Sequence, residues 1–219
     1  MRLILLGPPG SGKGTQAKLL CQAHGMTHIS TGDILRDAVR RGTPMGQLAQ
    51  PYMDQGKYVP DQLVNDIIAE RFQQADSPKA FLMDGYPRTL AQAIAFDQVL
   101  QQADLGLTAV VKLDVPDDEI VRRVSGRRSC PKDGSVYHLL FQPPKREGSC
   151  DLCGTPLTQR SDDREEIVRE RLSVYHQSTA NLLDFYQQLK LLRVVSGLGT
   201  VPEIFAAIER VLQSEGVQC

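Results

Sequence analysis

The stretch LILLGPPGSGKGT, residues Leu3–Thr15, decides the fold of this chain. A short apolar run comes first, a glycine-rich turn follows, and an amphipathic segment runs from Ala17 to Ala23. Strand, glycine-rich turn and helix in this order are the setting that a phosphate-binding loop requires. The glycines let successive backbone N–H groups converge on phosphate oxygens, and the helix N-terminus adds partial positive charge. The stretch therefore predicts a phosphate site, with a turn that binds no ligand as the alternative.

Two side chains of this loop have predicted roles. Lys13 supplies a full positive charge that reaches the β- and γ-phosphates of a nucleotide. The general pattern has Ser or Thr directly after the lysine, but here Gly14 intervenes. Thr15 is therefore the candidate hydroxyl for the magnesium side of the site.

Length and composition describe an ordinary globular protein. The 219 residues allow one large or two modest domains. A net charge of -1 gives no general electrostatic case for a nucleic-acid or membrane partner. No apolar run approaches the roughly 20 residues of a membrane span, and no signal peptide is expected because Arg2 leads straight into a strand. We expect a cytoplasmic, reducing location, in which cysteines serve as thiols or metal ligands.

Five apolar runs, separated by segments of helical period, predict an α/β fold with a parallel sheet covered on both faces. Residues that bind ligands lie at the carboxyl ends of the strands in such a sheet, and the positions of Gly7 and Asp84 fit this rule. The predicted strands are Leu3–Leu6, His28–Ile29, Ala80–Met83, Ala109–Val115 and Leu191–Val195.

Two local predictions concern the region after the second strand. Thr31 or Asp33 is predicted to cap a helix that continues to Arg41. A second helix, from Pro44 to Gln55, contains Pro51 and is expected to be kinked or split there, because proline cannot donate the helical hydrogen bond.

The third strand ends in the sequence DGYPR, residues Asp84–Arg88. An acidic residue at the end of a strand beside a phosphate-binding loop is the usual position for holding magnesium, often through water. Arg88 can place paired N–H groups on a phosphate. A strand-end turn with an incidental salt bridge is the alternative.

Arginines are concentrated in the second half of the chain. Four of the seven residues from Arg122 to Arg128 are arginines, and Arg160, Arg169 and Arg171 follow. Arginines that lie close together repel unless an anion separates them, and a triphosphate is the obvious candidate. A basic surface patch is the alternative interpretation.

Cys130, Asp133, Cys150 and Cys153 have the spacing of a zinc ribbon in which one Cys is replaced by Asp. The segment between the two pairs is rich in Gly, Pro and polar residues, has little apolar core and would gain from a metal. A metal-free tetrad held by hydrogen bonds is the alternative, and His138 is the alternative ligand to Asp133.

Taken together, these motifs resemble those of adenylate kinases of the long-lid bacterial type. The resemblance runs from the first strand to about Gly197, and several such motifs in one order are highly specific. The motifs that carry it are Gly7–Thr15, Ser30–Arg36, Gly56–Asp61, Asp84–Arg88 with Gln92, Gly126–Arg128, Val136–His138, Arg160–Asp163 and Arg169–Leu172.

The resemblance implies a P-loop kinase fold, a five-stranded parallel sheet flanked by helices, with two mobile inserts. The core domain would comprise residues 1–29, 60–125 and 164–219. A helical insert, 30–59, would close over AMP, and a small zinc-ribbon-like lid, 126–163, would close over ATP. The implied activity is the reversible, Mg²⁺-dependent transfer of the γ-phosphoryl group of ATP to AMP, which gives two ADP.

The resemblance also implies roles for individual residues. Asp84 would hold magnesium through water, and the zinc ligands would be Cys130, Asp133, Cys150 and Cys153. The catalytic residues would be Lys13, Arg88, Arg123, Arg160 and Arg171. ATP would be bound by Gly10, Ser11, Gly12, Lys13, Gly14, Thr15, Arg127, Val136 and Tyr137. AMP would be bound by Thr31, Gly32, Arg36, Lys57, Val59, Gly85, Arg88 and Gln92.

The sequence offers many arginines and no obvious general base, which suits transfer to a phosphate. The acceptor oxygen of AMP is already ionised at neutral pH, so alignment, charge neutralisation and exclusion of water can suffice. A kinase for another nucleoside monophosphate is the nearest alternative, against which Thr31 and Gln92 favour adenine by resemblance. A zinc-ribbon ATPase that binds nucleic acid would need a basic, aromatic face around Cys130–Cys153, but this segment also carries acidic residues.

Three positions depart from the family pattern. Asp133 stands where zinc-bearing members most often have Cys, Pro51 interrupts the AMP-side insert, and Ser196 replaces the Asp expected after Val195. We expect a monomer, because one sheet and its core account for the apolar helix faces. The expected partners are the small molecules ATP, AMP and ADP, with no nucleic acid and no membrane.

Overall fold

The computed structural model describes residues 1–74 and 77–213, so the end of the predicted core segment, 214–219, lies outside the described residues. Its centre is a parallel sheet of five strands, as predicted, and a second sheet has two antiparallel strands. The strands are β1 (Arg2–Leu6), β2 (Thr27–Ser30), β3 (Phe81–Asp84), β4 (Ala109–Asp114), β5 (Arg127–Ser129), β6 (Val136–His138) and β7 (Leu192–Ser196).

Helices connect the strands and cover the central sheet. None of those in the described part of the chain is long and apolar enough to span a lipid bilayer. The helices are α1 (Lys13–His24), α2 (Thr31–Arg40), α3 (Pro44–Asp54), α4 (Asp61–Gln73), α5 (Leu90–Gln102), α6 (Asp117–Ser125), α7 (Glu165–Gln188) and α8 (Val201–Gln213), with a 3-10 turn at Ser161–Asp163.

The strand order of the central sheet is β2-β3-β1-β4-β7, with β1 in the middle. Leu5 of β1 lies opposite Asp84 of β3, and Ser30 of β2 lies opposite the same Asp84. The carboxyl ends of three strands therefore meet at one edge of the sheet. The phosphate-binding loop, the start of α2 and the turn after Asp84 all begin at this edge, where parallel sheets bind ligands.

The sheet has an apolar layer on each face, because successive side chains of a strand point to opposite sides. Leu3 and Leu5 belong to one buried cluster, which α1 and α8 complete with Leu20 and Ile208. The other cluster lies under α4, α5 and α7; its members include Ile4, Leu6, Ile68, Phe72, Phe96 and Tyr186.

The residues between α6 and α7 form a small unit around the β5–β6 pair. Its buried cluster contains only Cys130, Tyr137 and Cys150, with Cys153 and Leu157 packed against it. This small number of buried apolar residues agrees with the prediction that the segment has little core of its own.

The predicted cap of α2 is wrong. Ser30 caps α2, because its hydroxyl accepts the N–H of Asp33 at 3.3 Å, whereas Thr31 is already helical. Of the two outcomes expected at Pro51, a kink or a split, the split is excluded, because α3 runs unbroken from Pro44 to Asp54. Gln47, whose carbonyl loses its helical partner at Pro51, is exposed, so water can satisfy that carbonyl.

Candidate functional site

The loop after β1 has the backbone geometry that its glycines permit. Gly10 and Gly12 have φ angles of 81° and 94°, in the left-handed region that side chains disfavour. A Cβ on Gly10 would lie 2.4 Å from a methyl group of Val124, whereas Gly12 is the N-cap of α1. The loop therefore wraps tightly before the helix, and its N–H groups lie at the helix N-terminus, where anions bind.

Lys13 lies under this loop. Its Nζ donates to the carbonyl oxygens of Gly7 and Pro8 at 2.7 and 2.8 Å. Burial and the arginines of the cleft lower the pKa of Lys13 while Asp84 opposes them, and the net pKa is about 7. The surroundings therefore disfavour the positive charge of Lys13, and a bound phosphate would stabilise that charge.

Asp84 faces the loop from β3. A Cβ on Gly14 would lie 3.3 Å from Asp84 Oδ2, and Thr15 lines the same cleft. His28 Nε2 lies 3.4 Å from the same carboxylate oxygen. The sequence did not indicate His28, because only the pairing of β2 with β3 brings it beside Asp84.

A first pocket lies between α2, α3 and the turn after β3. All eight residues predicted to bind AMP line it: Thr31, Gly32, Arg36, Lys57, Val59, Gly85, Arg88 and Gln92. Leu35, Met53 and Val64 add an apolar wall that the sequence analysis did not single out. The pocket thus combines apolar walls with cationic side chains, which suits a ligand with a flat base and a phosphate.

Gln92 is held within this pocket by its own neighbours. Its Oε1 accepts the backbone N–H of Arg88 at 2.7 Å, and its Nε2 donates to Asp61 Oδ1 at 2.7 Å. Asp61 Oδ2 also accepts the hydroxyl of Thr89 at 2.7 Å. Because an amide has two donors and two lone pairs, one of each remains for a ligand.

A second, larger cleft contains the phosphate-binding loop and extends to the β5–β6 unit. Lys13, Asp84, Arg123 and Arg160 line it. It also contains all nine residues predicted to bind ATP: Gly10, Ser11, Gly12, Lys13, Gly14, Thr15, Arg127, Val136 and Tyr137. Arg36, Arg88 and Arg171 line both the first pocket and this cleft, so arginines form their common wall.

Crowding is evident at two of the predicted catalytic arginines. Burial, together with the charges of Arg36 and Arg127, lowers the pKa of Arg160 to about 10. Burial also lowers the pKa of Arg171 to about 10, against the effect of Asp162. Both remain charged at neutral pH, and an anion bound beside them would relieve the repulsion from the neighbouring arginines.

Carboxylates hold the arginines in place. Arg171 Nη1 donates to Asp162 Oδ2 at 2.6 Å, and Arg123 Nε donates to Glu119 Oε1 at 2.8 Å. Arg127 makes a two-point ion pair with Asp163, which is 1% exposed. Of these carboxylates, Asp162 and Asp163 lie in the motif Arg160–Asp163, but no pattern in the sequence indicated their contacts with arginines.

The four predicted metal ligands come together in the β5–β6 unit. Their ligand atoms all lie within 4.8 Å of one another. Cys130 Sγ is 3.4 Å from Cys153 Sγ, and Cys150 Sγ is 3.1 Å from Asp133 Oδ2. Hydrogen bonds from Cys153, Ser135 and Cys150 keep the pKa of Asp133 well below its usual range. The cluster can hold a metal ion.

His138, the alternative ligand, is not part of this cluster. Its Nδ1 accepts the backbone N–H groups of Leu140 and Phe141 at 3.0 and 3.1 Å, and its ring stacks on Phe141. The hypothesis that His138 replaces Asp133 is therefore wrong.

Two pockets meet at a wall of arginines, and one of the pockets contains a phosphate-binding loop. This arrangement defines the class of P-loop phosphotransferases.

Comparison with known proteins gives the family. The family model for adenylate kinase matches residues 5–191. The chain is 48% identical to an adenylate kinase of Archaeoglobus fulgidus over 97% of this chain and 98% of the relative. It is 49% identical to one of Symbiobacterium thermophilum over 98% of this chain and 99% of the relative. The chain belongs to the adenylate kinase family.

Proposed function

We propose that the two pockets hold the two substrates of one reaction, the reversible transfer of the γ-phosphoryl group of ATP to AMP, which gives two ADP. The chain is a phosphotransferase, since ATP:AMP phosphotransfer is the reaction of adenylate kinases and the chain belongs to that family. The observation that carries the assignment of the pockets is their common wall, in which Arg36, Arg88 and Arg171 face both sites.

On the ATP side, backbone N–H groups of residues 10–15 would bind the phosphates, and Lys13 would contact the β- and γ-phosphates. Adenylate kinases use Mg²⁺ with ATP, and Asp84 and Thr15 would hold it on the side of the loop that Gly14 leaves open. Bound magnesium neutralises charge on the β- and γ-phosphates. Arg127, Val136 and Tyr137 would contact the remainder of ATP.

On the AMP side, Thr31, Val59 and Gln92 would contact adenine, while Gly32, Lys57 and Gly85 complete the pocket. Arg36 and Arg88 would bind the AMP phosphate. Arg123, Arg160 and Arg171 would contact the phosphoryl group in transit. Since the acceptor oxygen is already ionised, no general base is required, and the arginines act by alignment and charge neutralisation.

The proposal includes a division into a core, 1–29, 60–125 and 164–219, and two segments that close over the substrates, 30–59 and 126–163. Two contacts between these segments support it. Arg40 Nη1 donates to the carbonyl oxygen of Pro131 at 3.2 Å, and the Ser161 hydroxyl donates to Asp54 at 3.5 Å. Closure of this kind excludes water that would otherwise hydrolyse ATP.

We further propose that the cluster of three thiols and one carboxylate holds zinc. Tetrahedral zinc with ligand bonds of about 2.0–2.3 Å separates its ligand atoms by about 3.3–3.8 Å. The separations of 3.1 and 3.4 Å within the cluster fit this geometry after small shifts. Four protein ligands leave no position for a substrate, so the metal would be structural. Zinc-binding thiols must stay reduced, which supports a cytoplasmic location.

A coupled assay of ADP formation tests the proposed reaction. With ATP and each of AMP, GMP, UMP and CMP as acceptor, we expect turnover with AMP to exceed the others strongly, with two ADP formed per AMP consumed. Lys13→Ala serves as the inactive control. Equal turnover with another acceptor, or ADP formation from ATP alone at the same rate, would contradict the assignment.

A further inference from the structure

Tyr58 lies within the motif Gly56–Asp61, but the sequence assigned it no role. It follows α3 and lines both the first pocket and the larger cleft. Its ring centroid lies 5.2 Å from Cζ of Arg88, so the guanidinium stacks over the aromatic face. Such a cation–π contact lies within the usual limit of about 6 Å.

Arg88 is oriented from two directions. Its Nε donates to the carbonyl oxygen of Gly85 at 2.7 Å, which fixes one edge of the guanidinium. Tyr58 covers one face. Within residues 1–74 and 77–213, the two terminal nitrogens of Arg88 have no hydrogen-bond partner, so a ligand in the pocket can accept from both.

Tyr58 lies next to α7, because Tyr58 and the buried Thr179 of α7 line the same cleft. Burial raises the pKa of Tyr58, while Arg88, Arg171 and the hydroxyl of Thr179 lower it. The hydroxyl therefore stays protonated at neutral pH and the ring keeps its neutral π-face towards Arg88.

We propose that Tyr58 is a positioning residue for the acceptor, which holds the Arg88 guanidinium so that its two terminal nitrogens face the AMP phosphate. This inference rests on the proposed function, because it needs AMP in the first pocket. If Tyr58 only filled space, its removal would lower the affinity for both substrates equally and would lower the stability of the protein. If Tyr58 positions Arg88, its removal lowers the affinity for AMP alone, and only while Arg88 is present.

The first experiment compares Tyr58→Leu, Tyr58→Phe and the matched control Tyr52→Leu, which removes an exposed tyrosine from α3. AMP affinity is measured by calorimetry without ATP, and kcat and both KM values by steady-state kinetics. We expect Tyr58→Leu to weaken AMP binding about 3- to 30-fold, the range of a cation–π contact, with the ATP KM changed less than about twofold. Tyr58→Phe keeps the ring and should stay within about threefold of wild type.

The second experiment repeats Tyr58→Leu in an Arg88→Ala background. If the ring acts through Arg88, its removal should then have almost no further effect on AMP affinity. An undiminished loss in this background, or an equal loss for Tyr58→Phe and Tyr58→Leu, would overturn the inference. Should Tyr58→Leu not fold, Tyr58→Met supplies a flexible apolar side chain without a π-face. Wild-type protein that does not phosphorylate AMP would instead overturn the proposed function.

Discussion

Leu5 in the central strand lies opposite Asp84 in the neighbouring strand. The phosphate-binding loop begins two residues after Leu5, so this single pairing brings the loop and the predicted magnesium-binding carboxylate to the same edge of the sheet. Since hydrogen bonds between the strands fix the register, the distance between loop and carboxylate is a property of the core and not of flexible side chains. The centre of the site is therefore built on paired strands of the central sheet.

The lowered pKa of Lys13 predicts proton uptake when ATP binds. At pH 8 the side chain, with a pKa of about 7, is mostly neutral in the free protein, and a bound triphosphate favours its charged form. We expect close to one proton taken up per ATP at pH 8 and almost none from Lys13 at pH 6, where it is already charged. Calorimetry in two buffers of different ionisation enthalpy measures this uptake. Lys13→Met should abolish it, and equal uptake by the variant would refute the assignment to Lys13.

Arg36→Ala and Arg88→Ala should chiefly weaken the use of AMP. Both side chains line the first pocket, and charge-assisted hydrogen bonds to a phosphate are worth about 1.5–3 kcal/mol each. We expect the AMP KM to rise roughly 10- to 100-fold while the ATP KM changes little. Steady-state kinetics with each substrate varied separately gives the answer. Arg41→Ala, an exposed arginine of the same region, is the control. An Arg88 variant with unchanged AMP KM and unchanged turnover would contradict its role.

Zinc removal should lower the thermal stability of the β5–β6 unit and spare phosphoryl transfer at low temperature. Comparable small zinc sites contribute roughly 10–16 kcal/mol in apparent terms, and a carboxylate in place of one thiolate should reduce this. The Asp133→Cys variant should bind zinc at least as tightly as the wild-type protein. The Asp151→Asn variant, which alters a carboxylate outside the cluster, should not change the affinity for zinc. Elemental analysis after refolding with zinc is the direct check. Less than about a tenth of a zinc per chain would mean that hydrogen bonds alone hold the tetrad.

Gly10→Ala should destabilise the loop more than Gly12→Ala does. Both positions have positive φ, but only at Gly10 would the new Cβ meet a neighbour, Val124, at 2.4 Å. Overpacking typically costs about 1–3 kcal/mol in addition to the backbone strain. Denaturant unfolding of both variants measures the difference in their free energies of unfolding. Adding Val124→Ala to Gly10→Ala should restore part of the stability that Gly10→Ala loses. Equal destabilisation of the two variants would show that the contact with Val124 has no effect.

Much of the fold could be predicted from the sequence because its signals are local. The five strands, the helices and the phosphate-binding loop each depend on residues adjacent in the chain, and periodicity and glycine placement report them directly. Pro51 is an exception: the proline rule predicts a kink or a split, but α3 continues through Pro51, and the exposure of Gln47 lets water satisfy the carbonyl that proline cannot pair. The cap of α2 is Ser30 and not the predicted Thr31 or Asp33, because several neighbouring side chains have an oxygen that can cap a helix and the sequence does not say which one does.

The sequence by itself determined the class of fold, the loop, the predicted nucleotide-binding residues that line the two pockets and the four candidate metal ligands, because short motifs carry them. Only the tertiary structure placed His28 beside Asp84, Asp163 under Arg127 and Tyr58 beneath Arg88. Each of these pairs joins segments at least thirty residues apart. Their distances depend on strand order and helix packing, and no spacing along the chain encodes them.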